Sequence, residues 1–138
     1  MNSIFSKKAV LISILLLLSM GCALYLFAHK KREEDRHEIR NLYSYLRKCI
    51  LENDATEANK IFSPIFHTIT HYHEYVLDRF RYLDKPDYAL QENCYIAISS
   101  NTAVICPDSN GEAGGIGLYL IKIDGKWYFT GQTILYTD

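Results

Sequence analysis

The sequence LYLIKIDGKWYF, from Leu118 to Phe129, carries the strongest hairpin signal in the chain. Its Asp-Gly pair is typical of a type I′ turn, in which both central residues need a positive φ. Apolar and aromatic residues fill the arms on either side of this pair. The pattern predicts two antiparallel strands, 115–123 and 126–136, joined by a two-residue turn. Gly131 is expected to mark a bend or a bulge in the second strand.

A second hairpin is predicted immediately before this one, from strands 93–99 and 102–107 around Ser100-Asn101. The length of its loop decides where two cysteines lie. A three-residue loop would place Cys94 directly across from Cys106, at a spacing that allows a disulfide. A two-residue loop would put the two cysteines on opposite faces of the sheet. The sequence leaves both registers open, and a disulfide would indicate an oxidising compartment.

Before the strands, apolar residues recur every three or four positions, which is the period of a helix. A first helix is predicted to begin near Glu33, or to run on from the apolar N-terminal segment, and to end at Asn53-Asp54. Asp54 with Glu57 has the form of a capping box that opens a short second helix. A third helix is predicted between Ser63 and Pro86. Helices followed by antiparallel strands predict an α+β domain, in which two to three helices pack on a curved antiparallel sheet of about four strands. The predicted apolar faces are Ile39, Leu42, Tyr43, Leu46, Cys49 and Ile50 in the first helix and Ile65, Phe66, Ile69, Val76, Leu77, Phe80 and Leu83 in the third.

The N-terminal part of the chain has a different character. Residues 9–28 form an uncharged, mostly apolar run, which follows a short basic tail, 1–8. As a helix this run would span roughly 30 Å, the thickness of the hydrocarbon core of a bilayer. The pattern predicts a transmembrane anchor over 9–28, with the lipid bilayer as its partner, and a single α+β domain over 29–138.

Two features of the anchor stay open. Gly21-Cys22 after a basic start and an apolar stretch also fits a lipoprotein signal, in which Cys22 would be lipidated; the long apolar run beyond Cys22 favours a retained helix. Lysine and arginine residues are slightly more numerous after the run than before it, which favours a cytoplasmic domain. Because a short N-terminal tail before a single span commonly stays inside, we expect the domain on the extracytoplasmic side.

The composition excludes one class of function. The 138 residues carry a formal net charge of −1, so the chain has no excess of lysine and arginine that would indicate binding of nucleic acid. Eleven tyrosines and six phenylalanines supply aromatic area both for a core and for a protein interface. No enzyme motif, cofactor site or catalytic residue is predicted.

One cluster on the third predicted helix contains groups that bind metals. His67, His71, Glu74 and Asp78 fall on one side of that helix, and two histidines four residues apart can chelate a metal ion. The same spacing places the cluster opposite the apolar stripe. A solvated helix face is therefore the better interpretation, and a metal site is the alternative.

Four further residues are candidates for binding. His73 lies near the apolar stripe, where it is either a hydrogen-bonded core histidine or, with Tyr128, an acid–base pair in a pocket. Trp127 is expected on one face of the sheet, and Tyr119 and Tyr128 on the other. Each of these aromatic residues is either a core residue or a binding anchor.

The helix end Leu51–Ala58 and the closing hairpin Leu118–Phe129 resemble the cone-shaped domains of the nuclear-transport-factor-2-like superfamily. The resemblance covers the order of elements over most of 33–136. It implies a sheet wrapped around a helix to leave a pocket, in proteins that range from isomerases to scaffold subunits and immunity proteins. This chain lacks a predicted strand between its helices, so a shallow pocket is expected. No catalytic residue carries over, because no motif of the enzyme branch is present.

These observations predict a membrane-anchored protein of the bacterial envelope that uses its domain for protein–protein interaction, as a scaffold in a secretion system or as a surface accessory protein. The alternatives are an immunity protein that neutralises a toxin at the membrane, and a small-ligand-binding protein or enzyme that uses the pocket around His73. Fold resemblance alone does not decide among them.

Overall fold

The computed structural model describes residues 2–64, 75–90, 92, 94–107 and 115–135. Its internal contacts divide the chain into two compact units, one that ends at Asp35 and one that begins at Arg36. His67, His71, His73 and Glu74, which were predicted as candidate site residues, lie outside the described residues.

The first unit is helical. Helix α1 spans Asn2–Glu52, and the unit contains the part of this helix up to Asp35. Large apolar side chains from Val10 to Phe27 are 48 to 70 % exposed. The most apolar window of 18 residues has a mean hydropathy of 2.5, and none of it is buried. The described residues therefore contain one helix that is long and apolar enough to cross a membrane.

The second unit begins with the last turns of α1, whose predicted apolar stripe is buried. Ile39, Tyr43 and Leu46 are each fully buried. The helix ends at Glu52, and Asn53 follows in the left-handed region with φ of 56°, as is common after a helix. The predicted end of this helix is confirmed.

Among the described residues, two short helices follow α1. Helix α2 spans Ala55–Asn59, and the Asp54 carboxylate accepts a hydrogen bond from the N–H of Glu57 at 3.0 Å, which confirms the predicted cap. Helix α3 spans Tyr75–Phe80, and the chain then tightens into two 3₁₀ turns, Arg81–Asp84 and Pro86–Tyr88. The third predicted helix thus loses its α-helical form after Phe80, although Leu77, Phe80 and Leu83 are buried as predicted.

Four antiparallel strands form one sheet in the order β1-β2-β3-β4. They are β1 Tyr95–Ser99, β2 Thr102–Cys106, β3 Ile116–Ile123 and β4 Lys126–Leu135. Asp124 and Gly125 both have positive φ, as a type I′ turn requires. The register between β3 and β4 shifts beside Tyr119, where Gly131 has φ of 78°, so the predicted irregularity is a bulge. The α+β class, with helices first and a four-stranded sheet after, is confirmed.

The register of the first hairpin decides the cysteine question. Ser99 pairs with Thr102, so the loop has two residues, and Cys106 pairs with Tyr95. Cys94 therefore lies one position out of register with Cys106, on the opposite face of the sheet. Neither cysteine is disulfide-bonded, and both are buried. The alternative with a Cys94–Cys106 disulfide is wrong, because that bond requires a loop of three residues.

The core lies between the helices and one face of the sheet. Phe62 joins the two layers: its ring lies 5.5 Å from that of Phe80 and 5.8 Å from that of Phe129. The backbone beside Phe62 also forms a parallel bridge to β4 at Phe129. The segment between the helices, in which no strand was predicted, therefore covers part of the β4 edge.

Candidate functional site

Among the described residues, one face of the sheet packs on the helices, and the other carries side chains that are partly exposed, except Cys106, which is fully buried. Cross-strand pairs place six apolar or aromatic side chains together on the second face. We call this set the outer face, and it consists of Tyr95, Ala97, Val104, Tyr119, Ile121 and Tyr128. Tyr95 is 41 % exposed, and the other five side chains are partly exposed. Aromatic and apolar side chains in this state are typical of surfaces that bind other proteins.

The outer face is continuous across the strands. Val104 lies between Ala97 of β1 and Tyr119 of β3, and Ile121 pairs directly with Tyr128 of β4. Directly paired side chains in an antiparallel sheet have their Cβ atoms about 5 Å apart, so paired residues of the outer face are direct neighbours. The outer face is thus one surface rather than scattered apolar residues.

Tyr119 and Tyr128 lie on the face predicted for them, opposite that of Trp127. Tyr119 is beside the bulge, where the Thr130 hydroxyl donates a hydrogen bond to its carbonyl oxygen at 3.3 Å. This bond links β3 and β4 at the bulge, where the regular pattern of backbone hydrogen bonds between them is interrupted. It fixes the position from which the Tyr119 side chain projects.

Trp127 is not a surface anchor. Its side chain is 2 % exposed and belongs to the core, so Trp127 is the predicted core residue and the alternative of a binding anchor is wrong. The Lys122 ammonium lies 5.3 Å from the ring centroid, and the backbone N–H of Trp127 donates to a Glu38 carboxylate oxygen at 3.4 Å. The large ring fills space beside α1, and burial of that area is the physical reason for its position.

The predicted metal cluster is represented in the described residues by Asp78 alone. Its carboxylate is exposed and pairs with Arg81 at 3.0 Å, one helical turn away. Within the described ranges, no group of three or more His, Cys, Asp or Glu side chains is placed to hold a metal ion.

Cys22, the predicted lipidation site, lies inside helix α1 and is exposed. The buried cysteines have a different environment. Burial raises the pKa of the Cys94 thiol, and burial together with the nearby Asp54 carboxylate raises the pKa of Cys49. A raised pKa lowers the thiolate fraction, so both are structural residues with low reactivity.

Three side chains of α1 hold the segment that leads into β1, and sequence reasoning did not find this role. Arg40, Tyr43 and Arg47 donate hydrogen bonds to backbone carbonyls across 36 to 52 residues of sequence. Their spacing of three and four residues places them on one side of the helix, which was the available signal. The acceptors are, in that order, Glu92, Tyr88 and Leu83, at 2.6, 2.6 and 3.1 Å. An open cleft of about 260 Å³, lined in part by Tyr43, Arg47 and Leu90, lies beside these contacts.

A second polar network joins α1 to α2. The Tyr45 hydroxyl donates to a Glu57 carboxylate oxygen at 2.7 Å, and Lys60 pairs with the other oxygen. The bond to Glu57 raises the pKa of Tyr45 to about 12. The bonds from Lys60 and Tyr45 lower the pKa of Glu57. These groups are exposed and satisfied by one another, which is the arrangement of a structural surface network rather than of a reactive site.

No protein-family model, curated protein or solved structure matches this chain. The resemblance to the nuclear-transport-factor-2-like superfamily therefore stays a prediction, and the chemistry of the described residues carries the functional argument.

Proposed function

We propose that this chain is a membrane-anchored, non-catalytic interaction protein of the bacterial envelope, whose outer face binds a protein partner as part of a scaffold or surface assembly. The observation that carries the proposal is the outer face itself. It presents partly exposed aromatic and apolar side chains on all four strands of one sheet, while the other face is occupied by the helices. Tyrosine is among the residues that most often supply binding energy at protein interfaces.

The packing of the helix-facing side supports interaction over a ligand pocket. Phe62, Phe80 and Phe129 are each no more than 2 % exposed, and their rings form a contiguous cluster. A small-ligand-binding protein of this fold would need open space at that position. In the described part of the sheet's inner side, that space is filled with side chains.

The anchor supports a role at a membrane. Helix α1 has the length and composition to cross a bilayer, with its apolar side chains directed outwards. A tether of this kind keeps the domain near partners in the same membrane and raises their effective concentration. The superfamily resemblance also supports a scaffold role, because that superfamily includes scaffold subunits.

The first experiment tests anchoring and sidedness. Lys85, which is exposed in the second unit, is changed to Cys and labelled with a membrane-impermeant maleimide in intact and in lysed cells. We expect the chain in the membrane fraction and labelling in intact cells. Recovery of the mature chain in the soluble fraction would overturn the proposal, and labelling only after lysis would reverse the predicted orientation.

The second experiment tests the outer face. A photo-reactive phenylalanine analogue replaces Tyr119 or Tyr128, and the matched control carries it at Asp87, an exposed position outside the sheet. We expect protein adducts from the two outer-face positions and none from the control. Folded, membrane-bound variants that give no adduct at either tyrosine would contradict the proposal.

A further inference from the structure

The two edges of the sheet are treated differently by the rest of the chain. At the β4 edge, the Ser63 N–H donates to the Phe129 carbonyl at 2.8 Å, and the Phe129 N–H donates to the Ile61 carbonyl at 2.9 Å. The segment Ile61–Ser63 therefore covers this edge as a short extra strand would. At the opposite edge, no described segment pairs with the outer side of β1.

The backbone groups that β1 presents to solvent follow from its register. A two-residue hairpin loop makes Ser99 and Thr102 a hydrogen-bonded pair, and bonded and non-bonded pairs alternate from there. The N–H and C=O groups of Ile96 and Ile98 therefore point away from β2. No described backbone group bonds to them, and such a row of donors and acceptors is the template for adding another strand.

The side chains of β1 do not protect this edge. The strand sequence is YIAIS, which contains neither a charged residue nor a proline. Edge strands are normally blocked by lysine, by proline, by a bulge or by a covering segment, and β4 uses both a bulge and a covering segment. The contrast indicates that β1 is kept competent to pair.

We propose that β1 pairs with β1 of a second copy of this chain, antiparallel and with Ala97 facing Ala97. An antiparallel pair of identical strands is two-fold symmetric, which is the commonest symmetry of protein dimers. In this register all five residues of the two strands are paired, and Ile96 of each copy lies opposite Ile98 of the other. The backbone N–H and C=O groups of these two residues then bond to each other. It sets Tyr95 opposite Ser99, and it brings no charged side chains together. The four-stranded sheet becomes an eight-stranded one, and the two outer faces become continuous.

The choice of a second copy rests on the membrane anchoring of the proposed function. A pair of five-residue strands buries much less than the roughly 1,600 Å² of a stable protein interface, so it would be weak between freely diffusing molecules. Two copies held in one bilayer meet at an effective concentration in the millimolar range. A free partner in solution would need additional contact area, whereas a tethered copy does not.

The test uses the full chain in its native membrane. Ala97 is changed to Cys, and the membranes are oxidised with copper–phenanthroline. Because non-bonded pairs have Cα atoms only about 4.5 Å apart, we expect a disulfide-linked dimer at least tenfold above the wild type, whose own cysteines give the background. The matched control is Thr102→Cys, on the same face but one strand inwards. Its copies would be about 20 Å apart, three strand spacings across the sheet and four residues along it, so it should give only background.

Two further measurements separate the outcomes. Dilution of the membranes with added lipid should lower the Ala97→Cys dimer, while the chain stays in the pellet. No excess dimer from a folded, pelleted Ala97→Cys variant would overturn the pairing and leave the anchored interaction protein standing. A chain found in the supernatant would overturn the anchoring, and the dimer yield in that fraction would then decide the pairing alone.

Discussion

Gly125 is the second central residue of the β3–β4 turn, with φ of +82°, and Asp124 before it has φ of +49°. We predict that Gly125→Ala destabilises the domain through the backbone alone. A Cβ added at this position meets no heavy atom within 4 Å, so no steric clash contributes. The left-handed conformation itself costs a residue with a Cβ roughly 1–2 kcal/mol.

The net effect is smaller than this strain, because alanine also restricts the unfolded chain. That restriction favours the folded state by about 0.4–1 kcal/mol. The expected loss in free energy of unfolding is therefore about 1 kcal/mol. For a domain near 100 residues this lowers Tm by roughly 4–8 °C.

The chain contains a single tryptophan, Trp127, which provides the assay. It lies two residues after Gly125 and is 2 % exposed, so its fluorescence reports the unfolding of this hairpin. We would measure urea unfolding of the full chain in detergent micelles. The unfolding midpoint should fall for Gly125→Ala and stay near wild type for Gly125→Asn, since asparagine tolerates positive φ.

Gly21 is the matched control. A Cβ at Gly21 also meets nothing within 4 Å, but this glycine lies within helix α1 and has no positive φ. Gly21→Ala should leave the tryptophan transition unchanged. If Gly125→Ala unfolds at the same midpoint as wild type, or if Gly21→Ala loses as much, the assignment of a type I′ turn as the stabilising feature is refuted.

Three further predictions concern the contacts of helix α1 and the α2 cap. Arg47→Met should lower the free energy of unfolding by about 1–2 kcal/mol, because the backbone carbonyls that accept from the guanidinium lose their donor. Lys48→Met, which removes only an exposed ion pair, should cost less than about 0.5 kcal/mol in the same urea titration. The pKa of Tyr45 should be about 12 in ¹³C-tyrosine NMR and should return towards 10 in Glu57→Gln. Since this pKa is raised in the folded state, the stabilising effect of the hydrogen bond is complete below pH 10 and is lost as the pH rises past 12. A wild-type pKa near 10 would contradict the hydrogen bond. Asp54→Ala should cost about 1 kcal/mol and Asp54→Asn much less, since asparagine also caps; equal losses would show that the cap is not the cause.

The sequence predicted the elements whose signals are local. The Asp-Gly turn, the cap at Asp54, the end of α1 and the bulge at Gly131 each depend on the conformational preference of one or two residues. Such preferences act within a few positions of the chain, so no knowledge of the tertiary structure is needed. The period of the apolar residues then sorted helices from strands, because burial of one face imposes that period.

The features that could not be predicted depend on distant segments. The bridge of Phe62 to β4 joins residues that are far apart in sequence and needs no strand pattern of its own. The bonds from Arg40 and Arg47 end on backbone carbonyls, which every residue has, so no sequence motif marks the acceptors. The register of the first hairpin was ambiguous for a related reason. Loops of two and of three residues were both compatible with Ser100-Asn101, and only the pairing across β2 and β3 separates them.

The candidate site depends on a choice that the local pattern also leaves open. Strand β4 has large side chains on both of its faces: Trp127 and Phe129 face one way, and Tyr128 faces the other. Because strand periodicity is two, a slip of one residue would exchange these sets. Two observations explain why the first set is inside. The Ile61–Ser63 segment bonds to the backbone of Phe129 and brings Phe62 against its ring, and the Glu38 side chain of α1 accepts a hydrogen bond from the backbone N–H of Trp127.

Tyr128 keeps a phenolic hydroxyl on the outer face, where water or a partner satisfies it, whereas an inward position would bury that hydroxyl at a cost of about 1–3 kcal/mol unless it were paired. The same preference applies to Tyr119 and Tyr95, which lie on the outer face with it. Polar tips on apolar rings therefore direct this set away from the helices and leave it available. Partly exposed aromatic side chains grouped on one sheet face are typical of protein interfaces, and this is the physical basis of the proposal that the domain acts through its outer face.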